Sequence, residues 1–325
     1  MTQIRKVRKW LARAQHIARR MRSSVIATQR ACIIAGKLRT SLAMTVPVLK
    51  TYKLFVGGKF PRSESGRIYQ PAAAPAVNVA RGSRKDLRDA VPAARTGFKS
   101  WSGSTAYLRG QILYRLAEML ETRRDALVTE LAACGEKRAA AQKEVDASIS
   151  LVTWHAGLCD KVQSLLGSQN AVQGPFFAFS TVEPTGVVGV IAPERPSLLG
   201  LLALALPALA GGNAVIVLCS ESAPLCALAL GEALATSDMP AGAINLIAGL
   251  RSELLPHFAS HRDIDALLVA GEPDASVGQA AADNCKRVRY CALSDEEWRD
   301  VARLKQLSWV EPFVEVKTLW HPVAQ

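Results

Sequence analysis

No aspartate or glutamate occurs among the first 43 residues, although eleven lysines and arginines do. The formal charge of +12 is therefore an end effect, because from Met44 onward 29 basic residues face 28 acidic ones. A body this close to neutral offers no basic stripe for tracking phosphates, which excludes a nucleic-acid-binding surface there. The seven cysteines are odd in number and include no C-x-x-C pair. A disulfide framework and a zinc knuckle are both disfavoured, and a reducing compartment such as the cytoplasm is expected. Of the five histidines only His257 and His261 stand close together, with no carboxylate or thiol motif beside them, so no metal site is expected. Long charge-free runs are scarce as well. The run from Leu198 to Leu218 has the length of a bilayer span, but Pro207 and Gly211-Gly212-Asn213 cut it into a Leu/Ala-rich helix and a short β-branched run. A buried helix feeding a buried parallel strand accounts for it, and no transmembrane segment is expected.

What is present divides into three parts. Residues 1–43 place Ile4, Val7, Leu11, Ala14, Ala18, Met21 and Val25 at three- and four-residue spacing against arginines, a basic amphipathic helix pattern. This extension is either a targeting or surface-binding segment, or sequence ahead of a true start at Met44. Residues 44–290 form the body. Tyr52 to Phe60 reads as a hairpin around Gly57-Gly58. Helix periodicity covers about Arg84–Trp101, Ser104–Cys134 and Glu136–Cys159. Phe176–Val182 reads as a strand within an element at 173–183. Then come the strand Val187–Ile191, the apolar helix, the strand Ala214–Leu218, a helix over about Ala223–Ala235, and the strands Ala243–Ile247 and Ala266–Val269. Strands alternating with helices of this length predict parallel βαβ units and a doubly wound α/β sheet with helices on both faces. Residues 291–325 form a linker and the alternating run Phe313–Pro322, a terminal strand.

Several blocks resemble the N-terminal half of aldehyde dehydrogenases: Gly57-Gly58, Glu183-Pro184-Thr185-Gly186-Val187-Val188-Gly189-Val190-Ile191, Pro207-Ala208-Leu209-Ala210-Gly211-Gly212-Asn213, and Met239-Pro240-Ala241-Gly242-Ala243-Ile244-Asn245 with Gly249. The likeness runs from about Tyr52 to Val288. It implies a Rossmann-like dinucleotide-binding fold, a NAD or NADP cofactor, and a small β element used for oligomerisation.

The positions that carry the family's chemistry differ here. The oxyanion-donating Asn of P-W-N-[FY]-P falls on Arg195 in Pro193-Glu194-Arg195-Pro196-Ser197. Arg195 either replaces that donor or pairs with Glu194 or another neighbour. The ribose clamp K-P-[SA]-E falls on Leu218-Cys219-Ser220-Glu221, where only Glu221 is kept. Its carboxylate either accepts from ribose hydroxyls or serves as a helix N-terminal charge. F-T-G-S becomes Val269-Ala270-Gly271-Glu272, which sets a carboxylate where phosphate would bind a helix N-terminus. Gly249 and Gly271 remain as vestigial cofactor positions, and dinucleotide binding is expected to be weak. The general base of E-L-G-G falls on Cys291, a poor equivalent. The nucleophilic Cys has no counterpart: Ala280-Ala281 follow Gly278-Gln279, and Cys285 is expected in a helix ahead of the base position.

By resemblance, the terminal strand is like the closing strand that joins an oligomerisation sheet, and like the tail of the family's two-unit branch, where a degenerate unit accompanies a complete one. Three functions follow. The leading one is a non-catalytic structural or partner subunit, assembled with itself or with a complete aldehyde dehydrogenase. The alternative is a NAD(P)-dependent oxidoreductase acting on an aldehyde through a rebuilt site. A nucleic-acid or membrane binder rests on residues 1–43 alone. Pairing of the two strand runs within one chain is the simpler fate of the β element.

Overall fold

A computed structural model describes residues 50–323. The expected N-terminal amphipathic helix lies outside the described residues. From Lys50 onward the chain forms one compact unit.

Three short strands open it: β1 (Thr51–Tyr52), β2 (Ile68–Tyr69) and β3 (Asn78–Ala80), in the order β1-β3-β2. The Gly57-Gly58 turn is present, with φ of 59° and 73°, values an L side chain adopts only with strain. The expected hairpin around it is short, the bridge between Val56 and Lys59 and one bond from Leu54 N to Pro61 O at 3.1 Å, because Pro61 has no N–H to return. The other side of the same run pairs Phe55 with Leu246 at the edge of the main sheet.

Four helices follow: α1 (Arg84–Gly103), α2 (Ala106–Thr122), α3 (Arg124–Ala133) and α4 (Arg138–Leu158). Ser83 starts α1 with a reciprocal capping box to Asp86. The single helix expected over Ser104–Cys134 is two, broken at Arg123, whose φ of −101° and ψ of 11° leave the helix. No Gly or Pro marks that break. Past the break α3 buries Leu127, Val128 and Leu131, packing like α2 on α4 and on the helix Leu225–Leu234.

The short helix α5 (Val162–Leu166) leads into β4 (Ser168–Asn170) and β5 (Phe176–Pro184). The alternating βα region then runs β6 (Val187–Ile191), α6 (Leu199–Ala210), β7 (Ala214–Leu218), α7 (Leu225–Leu234), β8 (Ile244–Ile247), α8 (Arg251–Ser260), β9 (Ala266–Ala270), α9 (Ala275–Ala282) and β10 (Arg287–Cys291). Strands β6 to β9 are buried at every position, as expected of a sheet covered on both faces. Their order is β10-β9-β6-β7-β8, all parallel. This is the expected doubly wound α/β fold, and its direction reverses between β6 and β9. Helices α6 and α7 cover one face, backed by α2, α3 and α4, while α1 and α8 cover the other.

All twelve residues of α6 are buried between the sheet and α4, which explains its membrane-like apolarity. Among the described residues no helix is long and apolar enough to cross a membrane.

Two polar side chains explain the sequence blocks that end in Asn. Asn213 accepts from Gly186 N at 2.8 Å and donates to Ala208 O at 3.0 Å and Phe313 O at 2.8 Å. Asn245 accepts from Gly57 N at 2.9 Å and donates to Gly242 O at 2.8 Å. Both are fully buried, and their amides satisfy main-chain groups that no strand partner reaches.

After β10 the chain passes through α10 (Asp295–Arg299), α11 (Val301–Leu304) and two 3-10 turns to β11 (Val314–Pro322). The second sheet has the order β11-β5-β4. Strands β5 and β11 pair antiparallel over their full length, from Val314 opposite Pro184 to Pro322 opposite Phe176. The two runs expected to form an open oligomerisation edge therefore cover each other within one chain, and the bare edge is the outer side of β11.

Candidate functional site

Strands β6, β7 and β8 deliver their following loops to one end of the sheet, beside the reversal point, where open α/β sheets bind ligands. A cleft of about 570 Å³ lies there, lined by Tyr69, Gln70, Glu194, Glu221, Leu250 and Arg251. Another depression of about 570 Å³ lies between α2 and α4, lined by Tyr107, Tyr114, Thr153 and Lys161 among others. None of its lining comes from the strand ends, so the first cleft is the candidate site.

Arg195 leaves the β6 loop away from the cleft. Its guanidinium pairs with Glu136 and donates to Cys134 O at 2.8 Å. The expected partner Glu194 faces the other way. Glu136 also stands 3.8 Å from Arg299, which is 3.8 Å from the buried Glu144. Glu144 Oε1 accepts from Leu198 N at 2.9 Å and Leu199 N at 3.3 Å, closing the N-terminus of α6. Burial pushes the Glu144 carboxyl up, against the pull of those two amides. Arg195 is thus the outer member of a chain of charges that locks α6, with its donors turned from the space above the sheet.

Glu194, expected from sequence only as a partner for Arg195, is held elsewhere. Its carboxylate accepts from Ser220 Oγ at 2.9 Å, Glu221 N at 3.1 Å, Ser222 N at 2.9 Å and Ser222 Oγ at 2.5 Å. Partial burial would raise this carboxyl, but those bonds, led by Ser222, hold it below the usual carboxylate range. The signal was an acidic residue directly after a buried strand and its alanine-proline link, which by itself is indistinguishable from a solvated loop charge.

Glu221 Oε2 accepts from Arg251 N at 2.8 Å. It is a helix N-terminal charge, but on α8 rather than on α7, the helix it precedes in sequence. Leu218, expected in the position of the clamp lysine, is buried in β7. Gly249 is a packing glycine, since a Cβ there would lie 2.8 Å from Leu254 Cδ1 and 3.1 Å from Gly82 O. Gly271 has φ +120° and donates through its amide to Cys291 O at 2.9 Å. Arg251 Nη2 covers this exit, donating to Ala270 O at 2.7 Å.

Helix α9 starts three residues after Glu272, so Glu272 sits in the exposed turn before the helix and not at its first amides. The carboxylate at that N-terminus is Asp274, which accepts from Ser276 N at 2.8 Å and Ser276 Oγ at 2.6 Å. Cys291 ends β10 in a buried position, and burial pushes its thiol up to about 11. Burial likewise pushes Cys159 and Cys219 up to about 12. Cys285, expected in a helix, lies in the exposed turn after α9 with φ 56°. Among the described residues no group of three or more His, Cys, Asp or Glu side chains could hold a metal ion.

The chain matches the model of the aldehyde dehydrogenase family over residues 61–291. It is 33% identical over 248 residues to an aldehyde dehydrogenase, cytosolic 1, of Elephantulus edwardii, covering 73% of this chain and 49% of that protein. It is also 33% identical over 252 residues to retinal dehydrogenase 2 of Homo sapiens, covering 74% and 48%. A betaine aldehyde dehydrogenase variant from Staphylococcus aureus, solved in complex with NAD+, superposes with a TM-score of 0.68 at 26% identity, over 74% of this chain and 50% of that one. The chain spans about half the length of the curated relatives it matches. With this match and the strand order of the sheet, the chain belongs to the aldehyde dehydrogenase family.

Proposed function

We propose that this aldehyde dehydrogenase-like chain is non-catalytic and acts as a structural or partner subunit of an oligomer, with itself or with a complete relative. The observation that carries the reading is the fate of Arg195 and Cys291. Arg195 is tied to Glu136 and Cys134 O, so its donors do not face a developing oxyanion. Cys291 is a buried thiol pushed up to about 11, which leaves it protonated and unable to act as a base near neutral pH.

A nicotinamide dinucleotide, as held by the Staphylococcus aureus relative, fits these residues poorly. Its pyrophosphate would meet Asp274 at the N-terminus of α9, with Glu272 in the turn before it. Leu218 gives the ribose no donor. Weak or absent dinucleotide binding follows. The partner role draws on β11, whose outer side carries unpaired main-chain groups beside exposed Val316 and Trp320. The cytosolic relative and the six cysteines among the described residues, all free, support a reducing compartment such as the cytoplasm.

The test is aldehyde-dependent reduction of NAD+ or NADP+ by the purified chain. No turnover above a heat-killed control is expected. Turnover abolished by Cys291→Ser or Cys285→Ser would overturn the reading in favour of an oxidoreductase with a rebuilt site.

A further inference from the structure

Four donors converge on the Glu194 carboxylate, more than on any other carboxylate among the described residues. All belong to the three residues Ser220–Ser222, in the loop after β7. Consecutive amides flanked by hydroxyls form a concavity suited to an anion. Here the anion comes from the neighbouring loop after β6, so two loops that leave the sheet side by side are stitched across the floor of the cleft. Glu194 and Glu221 both line that cleft, where among the described residues Arg251 is the one cation, already engaged with Ala270 O.

We infer that Glu194 is a built-in anion that takes the donor set of the cleft and closes it to phosphate-bearing ligands. The inference rests on the proposed non-catalytic function and deepens it. Leu218 and Asp274 account for attractions that are missing or blocked, whereas Glu194 uses up the donors that remain. A phosphate entering the cleft has two courses. It displaces the carboxylate from four hydrogen bonds, or it settles beside it at like charge, and both weaken binding. The hydroxyls of Ser220 and Ser222 and the two amides become available to a ligand only when Glu194 is gone. A phosphate-free nucleoside escapes the charge penalty.

The experiment titrates NAD+ and adenosine calorimetrically into the full chain and into Glu194→Ala and Glu194→Gln. The expected result is NAD+ affinity raised roughly tenfold or more in Glu194→Ala, with adenosine affinity changed much less. Glu194→Gln is nearly isosteric and keeps an acceptor for the loop, so it shows a gain in the same direction even if the alanine variant fails to fold. NAD+ binding unimproved in a folded variant overturns the inference while leaving the non-catalytic reading in place. Micromolar NAD+ binding by the unchanged chain overturns the closed cleft directly, and turnover in the aldehyde assay separately decides the non-catalytic reading.

Discussion

His155 stands in the middle of buried surface on α4, with Nδ1 donating to Leu151 O at 3.0 Å and Nε2 buried without a partner. Burial pulls it down to about 4. A folded-state value below the unfolded one, about 6.5, means that the unfolded chain binds the proton more readily. The stability this residue allows is complete above the unfolded value and is lost as pH falls through the folded one. Between pH 7 and pH 4.5 the loss is roughly 2–3 kcal/mol. His155→Leu is expected to reduce the drop in urea-unfolding free energy between those pH values by about that amount. An identical drop in both proteins would show that other groups set the acid sensitivity. Asn213 is the other residue on which much depends, since it ties β6, α6 and the terminal segment through Gly186, Ala208 and Phe313. Asn213→Leu leaves the buried Gly186 N unpaired and takes the second donor from Ala208 O and Phe313 O, which keep main-chain bonds from Asn213 N and Thr185 N. It is expected to cost on the order of 2–3 kcal/mol. A change under about 1 kcal/mol by chemical denaturation would mean that Gly186 N finds another partner.

Among the elements, β11 has the most specific consequence. Val182 N donates to Gln163 Oε1 and Thr185 N donates to Phe313 O, so the odd-numbered groups of β5 face β11 and the even-numbered ones face away. By the alternation of an antiparallel ladder, the N–H groups of Val316, Thr318 and Trp320 then turn to the outer edge. Val316→Pro is thus expected to spare the pairing with β5 while removing a donor from the bare edge. The variant should melt within a few degrees of the unchanged protein and sediment as a smaller species. Unchanged assembly in a folded variant would place the subunit contact elsewhere. Strand β10, the open edge of the main sheet, is managed differently. It carries exposed Arg287 and Arg289, and Arg287 is paired with Glu315 of β11.

For the whole molecule, the small sheet exposes Phe176 and Trp320 on one face, with rings 5.7 Å apart, and Phe177 and Leu319 on the other. An apolar patch next to an unpaired strand edge is typical of a covered surface. The body of the chain is near neutral, so charge repulsion does little to keep copies apart. The unchanged protein is expected to sediment as an oligomer at micromolar concentration, alone or with a complete relative from the same source. A stable soluble monomer under both conditions would remove the main support for the partner role.

The amino-acid sequence by itself determined the four buried strands of the sheet. Val187–Ile191, Ala214–Leu218 and Ala266–Ala270 are apolar runs bounded by Gly, Pro and Asn, too short for a helix and of the kind that strands buried on both faces use. The expected departures at Arg195, Leu218 and Cys291 are also read from the sequence, because side-chain chemistry is visible without coordinates. The break at Arg123 was not legible, since it follows from what α2 and α3 pack against and not from a helix-breaking residue. Strand β10 was hidden for a related reason: as an edge strand it alternates charged and half-buried residues, RVRYC, and lacks the apolar signature of its neighbours. The partners of Arg195, Glu194 and Glu221 were decided only by the tertiary structure. A charged side chain's role depends on which hydrogen-bond partners lie within about 3 Å, and those partners come from residues 59, 28 and 30 positions away.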